Sequence, residues 1–344
     1  MSEELVLITG ISGLVGHAVS REALSSGYKV RAVIRKKENI EKVEQAFASN
    51  PELLSKIDFV VIPDLTVPNA FHNYMIGVDH IIHVASVVPH PSDNHERDYY
   101  RPPIDMTLNI LKAARDNPNV KRVVITSTIG VYIPIMDYLS GNLPNVFRSD
   151  DETCHYDMKT TFPHDLLAYA ASKAMQLDAA QDFLDKEKPK FETVFIMPSM
   201  IVGNDHGATK PEDYINNTTN KCIIGLLVEG GAENAALGSS VGLSDVAKLH
   251  VGGLKSSVPP GRYIAASEGE KGMEWTDAFA IVKKHFPEES EKVFKTQGEA
   301  AQSVKIKLDA SKTEKAYGFK FQSYEDQVKE VVSAYLALLK MDGK

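Results

Sequence analysis

The chain is poor in the residues that mark several special classes of protein. Its 344 residues include two cysteines, Cys154 and Cys222, and a single tryptophan. Two cysteines so far apart supply neither a disulfide framework nor the spacing of a zinc site, so we expect reduced thiols. No apolar run approaches the roughly 20 residues that a membrane-spanning helix needs, and there is no internal repeat or low-complexity tract.

Positive charge is also scarce. Lys and Arg number 38 against 46 Asp and Glu, which gives a formal net charge of −8. A chain that is negative overall repels a phosphate backbone, so nucleic acid is not expected as a partner. The acidic start, Met1-Ser-Glu-Glu, lacks the basic and apolar regions of a secretion signal. We therefore predict a cytoplasmic protein that binds neither membrane nor nucleic acid.

The remaining composition is that of a globular protein, with 43% hydrophobic and 24% charged residues. Short runs of Val, Ile and Leu alternate with amphipathic stretches through the first half, an order typical of a parallel sheet with helices on both faces. Strands are predicted at residues 5–9, 29–34, 58–62, 80–84, 122–127 and 193–197. We predict an α/β fold: a doubly wound Rossmann sheet over residues 1–198, and a smaller substrate-binding lobe over 199–344 that is interleaved with returning elements of the sheet. The excursion at 133–163 is expected near the substrate pocket.

The first strand runs into a glycine turn, Gly10-Ile-Ser-Gly13-Leu-Val-Gly16, which is followed by an amphipathic helix. Gly10 allows the tight turn, Gly13 lets the backbone approach a pyrophosphate, and Gly16 lets helix and strand pack closely. Ser12 and Leu14 flank this point, and the amides at the helix start attract an anion. The alternative is a glycine-rich turn without a ligand, but its place between strand and helix favours a dinucleotide.

Arg35 follows the second strand, at about the place where an NAD enzyme would carry an acidic residue for the adenosine ribose. A guanidinium can bind a 2′-phosphate through two hydrogen bonds, so NADP(H) is the predicted cofactor. A solvated basic surface is the alternative reading of this segment. Further along, Asp64 and Leu65 are placed near the adenine. The side chains Val84, Ala85 and Ser86, at the end of the fourth strand, are predicted to line the cofactor.

Tyr169 and Lys173 are four residues apart in a predicted helix and therefore share a face. A cation beside a phenol favours the phenolate and lowers its pKa, which makes Tyr169 a candidate proton donor. The strand at 122–127 ends in three hydroxyl residues, Thr126, Ser127 and Thr128. Ligands bind outside the carboxyl ends of such strands, so one hydroxyl is well placed to hold a substrate oxygen beside Tyr169. Turn chemistry alone is the alternative for the hydroxyls, and a surface pair for the Tyr and Lys.

These motifs together resemble the extended short-chain dehydrogenase/reductase family, and more narrowly the yeast and fungal carbonyl reductases related to plant dihydroflavonol reductases. The strings that carry the narrower resemblance include His83-Val-Ala-Ser86, Tyr169-Ala-Ala-Ser-Lys173 and Asp245-Val-Ala-Lys-Leu-His250. The resemblance implies NADPH-dependent reduction of a ketone or aldehyde. The protein is expected to be a monomer or a homodimer.

In the family, the catalytic residues are a Ser or Thr, a Tyr and a Lys, which map here to Thr128, Tyr169 and Lys173. Ser is usual at the first position, so Thr128 is a departure, and whether Ser127 shares its role stays open. Thr126 and Ser127 are also expected to contact the cofactor. The resemblance further places Pro198, Ser199, Met200 and Ile201 against the nicotinamide. Candidates for the substrate pocket are Val88, Pro89, Ile133, Phe162 and Met200.

A metal site and two other functions are the alternatives to this reading. The eleven histidines include no metal-ligand spacing, and no metal is expected. An NAD-dependent sugar-nucleotide epimerase or dehydratase shares the same three residues but calls for an acidic residue at the end of the second strand. A non-catalytic NADPH sensor would have no need of Tyr169 and Lys173.

Overall fold

A computed structural model describes residues 3–48, 50–216, 218–229, 236–295 and 303–343. Its strands, in chain order, are β1 (Leu5–Thr9), β2 (Lys29–Ile34), β3 (Ile57–Val61), β4 (His80–His83), β5 (Arg122–Thr126), β6 (Val146–Arg148), β7 (Glu192–Pro198), β8 (Met200–Val202), β9 (Ser240–Gly242), β10 (Gly261–Ala265) and β11 (Lys307–Asp309). Its α-helices are α1 (Leu14–Ser25), α2 (Glu38–Ala46), α3 (Pro51–Leu54), α4 (Arg101–Asp116), α5 (Ile135–Ser140), α6 (Asp165–Glu187), α7 (Lys221–Glu229), α8 (Leu243–Gly252), α9 (Asp277–His285), α10 (Pro287–Lys292), α11 (Ser311–Tyr317) and α12 (Tyr324–Met341).

Seven of the strands form one parallel sheet in the order β3-β2-β1-β4-β5-β7-β10. The chain starts in the middle at β1, moves out to β3, and then crosses back to β4 and the other side. The two directions of winding diverge at β1 and β4, which leaves a crevice at the carboxyl ends of these strands. The predicted doubly wound α/β fold is confirmed.

Helices cover both faces of the sheet because the strands are apolar on both sides. In β1, Leu7 packs into the core beneath α4 and α6, whereas Val6 and Ile8 pack into the core beneath α1 and α8. All three side chains are fully buried. The same alternation runs through the neighbouring strands, so the face on which a side chain lies follows from its position in the strand.

The second half of the chain contributes to the main sheet as well as to a separate cluster. Strand β10 pairs with β7 at the sheet edge, although it was not among the predicted strands. A third hydrophobic cluster, which includes Trp275 and Val328, joins α7, α9 and α12. Two small parallel pairs, β6 with β11 and β8 with β9, attach the excursion at 133–163 and the segment after β7 to later parts of the chain. The lobe boundary at residue 198 stays a prediction.

Candidate active site

The glycine turn joins β1 to α1 at the carboxyl edge of the sheet. Gly10 has a φ of +73°, and a Cβ on it would lie 2.8 Å from the amide nitrogen of Ala85. A Cβ on Gly16 would lie 2.1 Å from the carbonyl oxygen of Gly10, so a larger residue is excluded there. Gly13 is exposed, and the nearest atom to a Cβ on it would be 3.6 Å away. The turn therefore keeps the backbone at Gly13 open to a ligand.

Helix α1 begins beside this opening without a capping side chain. Gly13 occupies the N-cap position, and the first turn of the helix contains no acidic residue. The first amides of a helix have no partner within it, and the helix dipole favours an anion at this end. Ser12 and Leu14 lie half-buried on either side of Gly13. These features fit the pyrophosphate of a dinucleotide.

The basic segment after β2 divides into two parts. Arg35 and the two lysines after it are exposed, and Arg35 makes no hydrogen bond or ion pair with any residue that the structure describes. Arg31, inside β2, donates to Asp58 at 2.8 Å and to two backbone carbonyl oxygens at 2.9 and 2.8 Å. Arg31 therefore supports the edge of the sheet, and Arg35 is the arginine of this segment that is free to meet a phosphate.

Asp64 and Leu65 follow β3. One carboxylate oxygen of Asp64 accepts hydrogen bonds from the amide and the hydroxyl of Thr66, at 2.8 and 2.6 Å. These bonds hold the pKa of the Asp64 carboxyl below its usual value. The Leu65 side chain is buried, and its carbonyl oxygen accepts from Asn109. Only Asp64 of the two therefore presents an exposed side chain.

Three buried hydroxyl oxygens lie just after neighbouring strands of the sheet. Ser86 follows β4, Ser127 follows β5, and Ser199 follows β7. Within the described ranges, none of these three oxygens has a hydrogen-bond partner. Buried hydroxyl groups are almost always hydrogen-bonded, so this set indicates a place where a polar ligand or water completes the structure. Val84 and Ala85, both half-buried, lead from β4 into Ser86.

The Thr126 side chain belongs elsewhere. Its hydroxyl lies 2.7 Å from Nε2 of His250, on the face covered by α1 and α8. The other ring nitrogen of His250 lies 2.7 Å from the carbonyl oxygen of Val246 and must donate to it, so Nε2 accepts the Thr126 proton. Burial lowers the pKa of His250 to about 4, which keeps the ring neutral. The Thr126 hydroxyl is thus paired with His250, and the expected contact of Thr126 with the cofactor stays a prediction.

Tyr169 and Lys173 lie one turn apart in α6, as their spacing predicts. The Lys173 ammonium nitrogen is 6.0 Å from the centre of the Tyr169 ring. Lys173 is only 4% exposed, and its Nζ donates to Oε1 of Gln176 at 3.3 Å. An ammonium has three N–H donors, so this bond leaves donors for a ligand. The Tyr169 hydroxyl makes no hydrogen bond to the part of the chain that the structure describes.

Thr128 begins a short 3₁₀ turn, Ile129–Tyr132, against which α6 packs. Its hydroxyl oxygen accepts from the Gly130 amide at 3.2 Å and lies 3.4 Å from the carbonyl oxygen of Pro198. Pro198 ends β7, and Ser199 connects it to β8. The structure thus brings the hydroxyl residues after β5 and the segment 198–201 together at the carboxyl edge.

Burial dominates the charge states of this group. It lowers the pKa of Lys173 to about 8 and raises the pKa of Tyr169. The expected lowering of the Tyr169 pKa by Lys173 is therefore not found: the ammonium lies 6.0 Å from the ring centre, and desolvation of the phenol raises the pKa. His83, on β4, has a pKa near 3 because it is buried and because Lys173 is positively charged.

Comparison with known proteins gives this constellation a family. The sequence model described as "NAD dependent epimerase/dehydratase family" matches residues 6–234, well over half of the chain. The chain belongs to this family. It is the extended short-chain dehydrogenase/reductase family to which the sequence motifs pointed, so that prediction is confirmed.

Relatives within the family extend over the whole chain. "Ketoreductase CTB6" of Cercospora nicotianae is 30% identical, with 99% of this chain and 98% of that protein aligned. "Putative NADPH-dependent methylglyoxal reductase GRP2" of Candida albicans is 25% identical over 96% and 99% of the two chains. The solved structure of yeast methylglyoxal/isovaleraldehyde reductase Gre2 complexed with NADPH superposes with a TM-score of 0.79, covering 98% and 99% of the chains at 22% identity. At that identity the structural likeness is one of fold.

Within this family fold, the pocket candidates occupy different environments. Val88 is 71% exposed and Pro89 is also exposed, whereas Ile133 is buried in the main core. Phe162 and Met200 are half-buried. The structure therefore leaves Val88 and Pro89 at the surface and gives Ile133 a packing role.

Phe162 is the candidate that shares an environment with Tyr169. Both border a small cluster centred on Tyr99 and Tyr100, and Val87 and Tyr156 border it too. The alternation of side chains continued past β4 favours Val87 over Val88 as the residue that faces the pocket. No sequence motif indicates Tyr156. No motif singles out Gln176 either; its one sequence signal is its position three residues after Lys173, on the same face of α6.

The described residues hold no group of three or more His, Cys, Asp or Glu side chains that could bind a metal ion. Within the same ranges, every helix is too short or too polar to cross a bilayer.

Proposed function

We propose that the protein is an NADPH-dependent carbonyl reductase that converts a ketone or aldehyde to an alcohol. The proposal rests above all on one observation: a buried Lys173 ammonium lies beside Tyr169 in α6, and this helix packs against the 3₁₀ turn that Thr128 begins. The names of the relatives, a ketoreductase and a methylglyoxal reductase, support the same reaction class.

The residues at the carboxyl edge fit a dinucleotide. Gly13 and the start of α1 would hold the pyrophosphate, and Lys173 has N–H donors for a ribose hydroxyl. Arg35 would bind the 2′-phosphate that distinguishes NADP(H), since a charge-assisted guanidinium–phosphate contact is strong and the side chain has no competing partner among the described residues. Bound NADPH supplies the hydride in such a reaction.

The chain's own residues would handle the proton. Tyr169 gives its phenolic proton to the carbonyl oxygen as that oxygen becomes an alkoxide. Burial keeps the phenol protonated until then, and the Lys173 ammonium stabilises the phenolate left behind. Thr128 donates a hydrogen bond to the same substrate oxygen; its present contact with the Pro198 carbonyl oxygen is long, 3.4 Å, and is easily exchanged. Ser127, whose hydroxyl lacks a partner, is the alternative donor.

The sugar-nucleotide epimerase or dehydratase is the second candidate, because the family as a whole is named for that chemistry. It would use NAD and would need cationic side chains for a substrate diphosphate. Arg35 at the end of β2 argues against it, as does the apolar and aromatic surface beside Tyr169. The NADPH sensor is disfavoured by the buried Lys173, since a lysine in such a place is costly unless its charge is used.

The test is NADPH oxidation, followed by absorbance, with a panel of aliphatic and bulky aromatic ketones and aldehydes, and with NADH alongside. Tyr169→Phe should lower kcat by about a hundredfold or more while the KM for NADPH stays within about twofold. The matched control is Tyr28→Phe, which changes a half-buried tyrosine just before β2 and should retain full activity. Wild-type protein without carbonyl-dependent oxidation, or an active Tyr169→Phe variant, would contradict the proposal.

A further inference from the structure

Lys173 is held by a buried amide that is not part of the Tyr-x-x-x-Lys motif. Gln176 follows it in α6 and is only 4% exposed. Its Oε1 lies 3.3 Å from the Lys173 ammonium nitrogen. An ammonium can only donate hydrogen bonds, so the amide oxygen must face it.

Gln176 is held in turn from the neighbouring helix. Its Nε2 donates to the hydroxyl oxygen of Thr107, in α4, at 2.6 Å. Thr107 is fully buried, and α4 and α6 pack side by side. The two hydrogen bonds fix the amide from both ends, with the NH₂ group toward Thr107 and the oxygen toward Lys173.

Apart from the hydrogen bond to Thr107, the neighbouring core gives no reason for a polar side chain at this position. Ala174 and Leu177 beside it in α6, and Ile110 in α4, belong to the apolar core between sheet and helices. A leucine would pack in such a layer, whereas an amide is costly there unless both of its ends are hydrogen-bonded. Because one end of this amide meets an ammonium, its value lies in the charge that it supports.

We propose that Gln176 is a positioning residue for Lys173, which fixes the ammonium beside Tyr169, and that Thr107 orients Gln176 from α4. The titratable groups that face Lys173 are Tyr169 on its own helix and His83 on β4, and His83 is neutral near pH 7 because its pKa is about 3. Among the described residues, Oε1 of Gln176 is the acceptor to which the Lys173 ammonium donates, and in this proposal that hydrogen bond favours the charged form of Lys173. The catalytic role of Lys173 in this inference rests on the proposed function; the contact between Gln176 and Lys173 does not.

The experiment compares Gln176→Leu and Gln176→Glu with the wild type. The matched control is Gln327→Leu, which removes another fully buried amide, in α12, that donates to Ser267. The first readout needs no activity. The free energy of unfolding is measured against pH without NADPH, for each protein and for the same protein carrying Lys173→Met. The difference between the two curves gives the pH at which Lys173 loses its proton. The second readout is the pH profile of NADPH-dependent ketone reduction.

Gln176→Leu should shift the Lys173 titration down by about one pH unit, and Gln176→Glu should shift it up, because a carboxylate favours the ammonium more than an amide does. The high-pH limb of the kcat profile should move with it, and Gln176→Glu should keep activity near neutrality. Gln327→Leu should change neither. If Gln176→Leu does not fold, Thr107→Val, which frees the amide, should give the downward shift at smaller size.

An unmoved Lys173 titration in the Gln176 variants would overturn the proposal, as would a shift of the same size in Gln327→Leu. A shifted titration with an unmoved kcat profile would overturn the link to Tyr169. Wild-type protein that reduces no carbonyl compound would contradict the proposed function alone, since the unfolding measurement decides the role of Gln176 by itself.

Discussion

The burial of Lys173 makes the stability of the folded chain depend on pH in a defined direction. The pKa of Lys173 is about 8 in the folded chain against 10.5 when the side chain is solvated. Below pH 8 both states hold the proton, and the folded state bears the full cost of a buried charge. Between the two values the folded chain has released a proton that the unfolded chain still binds, so stability rises with pH. Above the higher value neither state is protonated, and the rise ends.

The expected size follows from this difference of pKa values. Lys173 alone should add about 1 kcal/mol to the free energy of unfolding between about pH 7 and pH 9, out of a total on the order of 3 kcal/mol. Lys173→Met keeps the length of the side chain but has no charge to desolvate. The stability of the variant minus that of the wild type should therefore fall by about 1 kcal/mol over the same interval, whatever its value at neutral pH.

Urea unfolding followed by circular dichroism, at closely spaced pH values from about 6 to 9, measures this difference. Lys340→Met, an exposed lysine at the end of α12, is the control, and its stability should run parallel to that of the wild type. Parallel curves for the wild type and Lys173→Met would show that the ammonium is not desolvated, which would refute the reasoning about the charge state of the pair.

Three further substitutions test the site residue by residue. Thr128→Val should lower kcat for ketone reduction by about tenfold or more, whereas Thr128→Ser should retain kcat and Ser127→Ala should lower it less than Thr128→Val does. A larger loss at Ser127 than at Thr128 would assign the substrate oxygen to Ser127. Arg35→Asp should weaken NADPH binding by about ten- to a hundredfold and leave NADH binding nearly unchanged, measured as the Michaelis constants for both cofactors. If the ratio of the two Michaelis constants is the same in the variant as in the wild type, Arg35 is only a solvated surface residue. Thr126→Val should cost about 1–3 kcal/mol in urea unfolding, because His250 loses a buried donor, with no change in the KM for NADPH; a raised KM would place Thr126 at the cofactor after all.

The strands that sequence alone predicted well are those whose signal is local. β1 and β2 have the predicted bounds because each is a continuous run of mostly β-branched or aliphatic residues, buried on both faces and followed by a glycine turn or by Arg35. β10 was missed because it is a five-residue edge strand that pairs only with β7. Nothing within those five residues distinguishes them from a loop; they are defined by their pairing with β7, in which Gly261 lies opposite Val194.

The candidate site likewise contains residues that local sequence predicts and residues that only the fold places. Tyr169 and Lys173 share a helix face because that relation needs only their spacing, and the glycine turn needs only its place between β1 and α1. For the hydroxyl residues after β5, alternation implies that Thr126 and Ser127 face opposite sides of the sheet. It does not imply which side carries α6, because that depends on how the crossover between β5 and β7 winds. The structure assigns His250 to Thr126 and leaves Ser127 without a partner.

Charge states were the least predictable part, because they depend on burial rather than on order along the chain. From sequence, Lys173 was expected to lower the Tyr169 pKa; in the structure, burial raises that pKa and lowers the pKa of Lys173 instead. Near neutral pH the pair therefore consists of a protonated phenol beside an ammonium, which is the form that can donate a proton to a carbonyl oxygen. The reverse reaction, oxidation of an alcohol, would need Tyr169 to start as a phenolate, and burial opposes that form. Under the proposed function, this charge state suits the reductive direction near neutral pH.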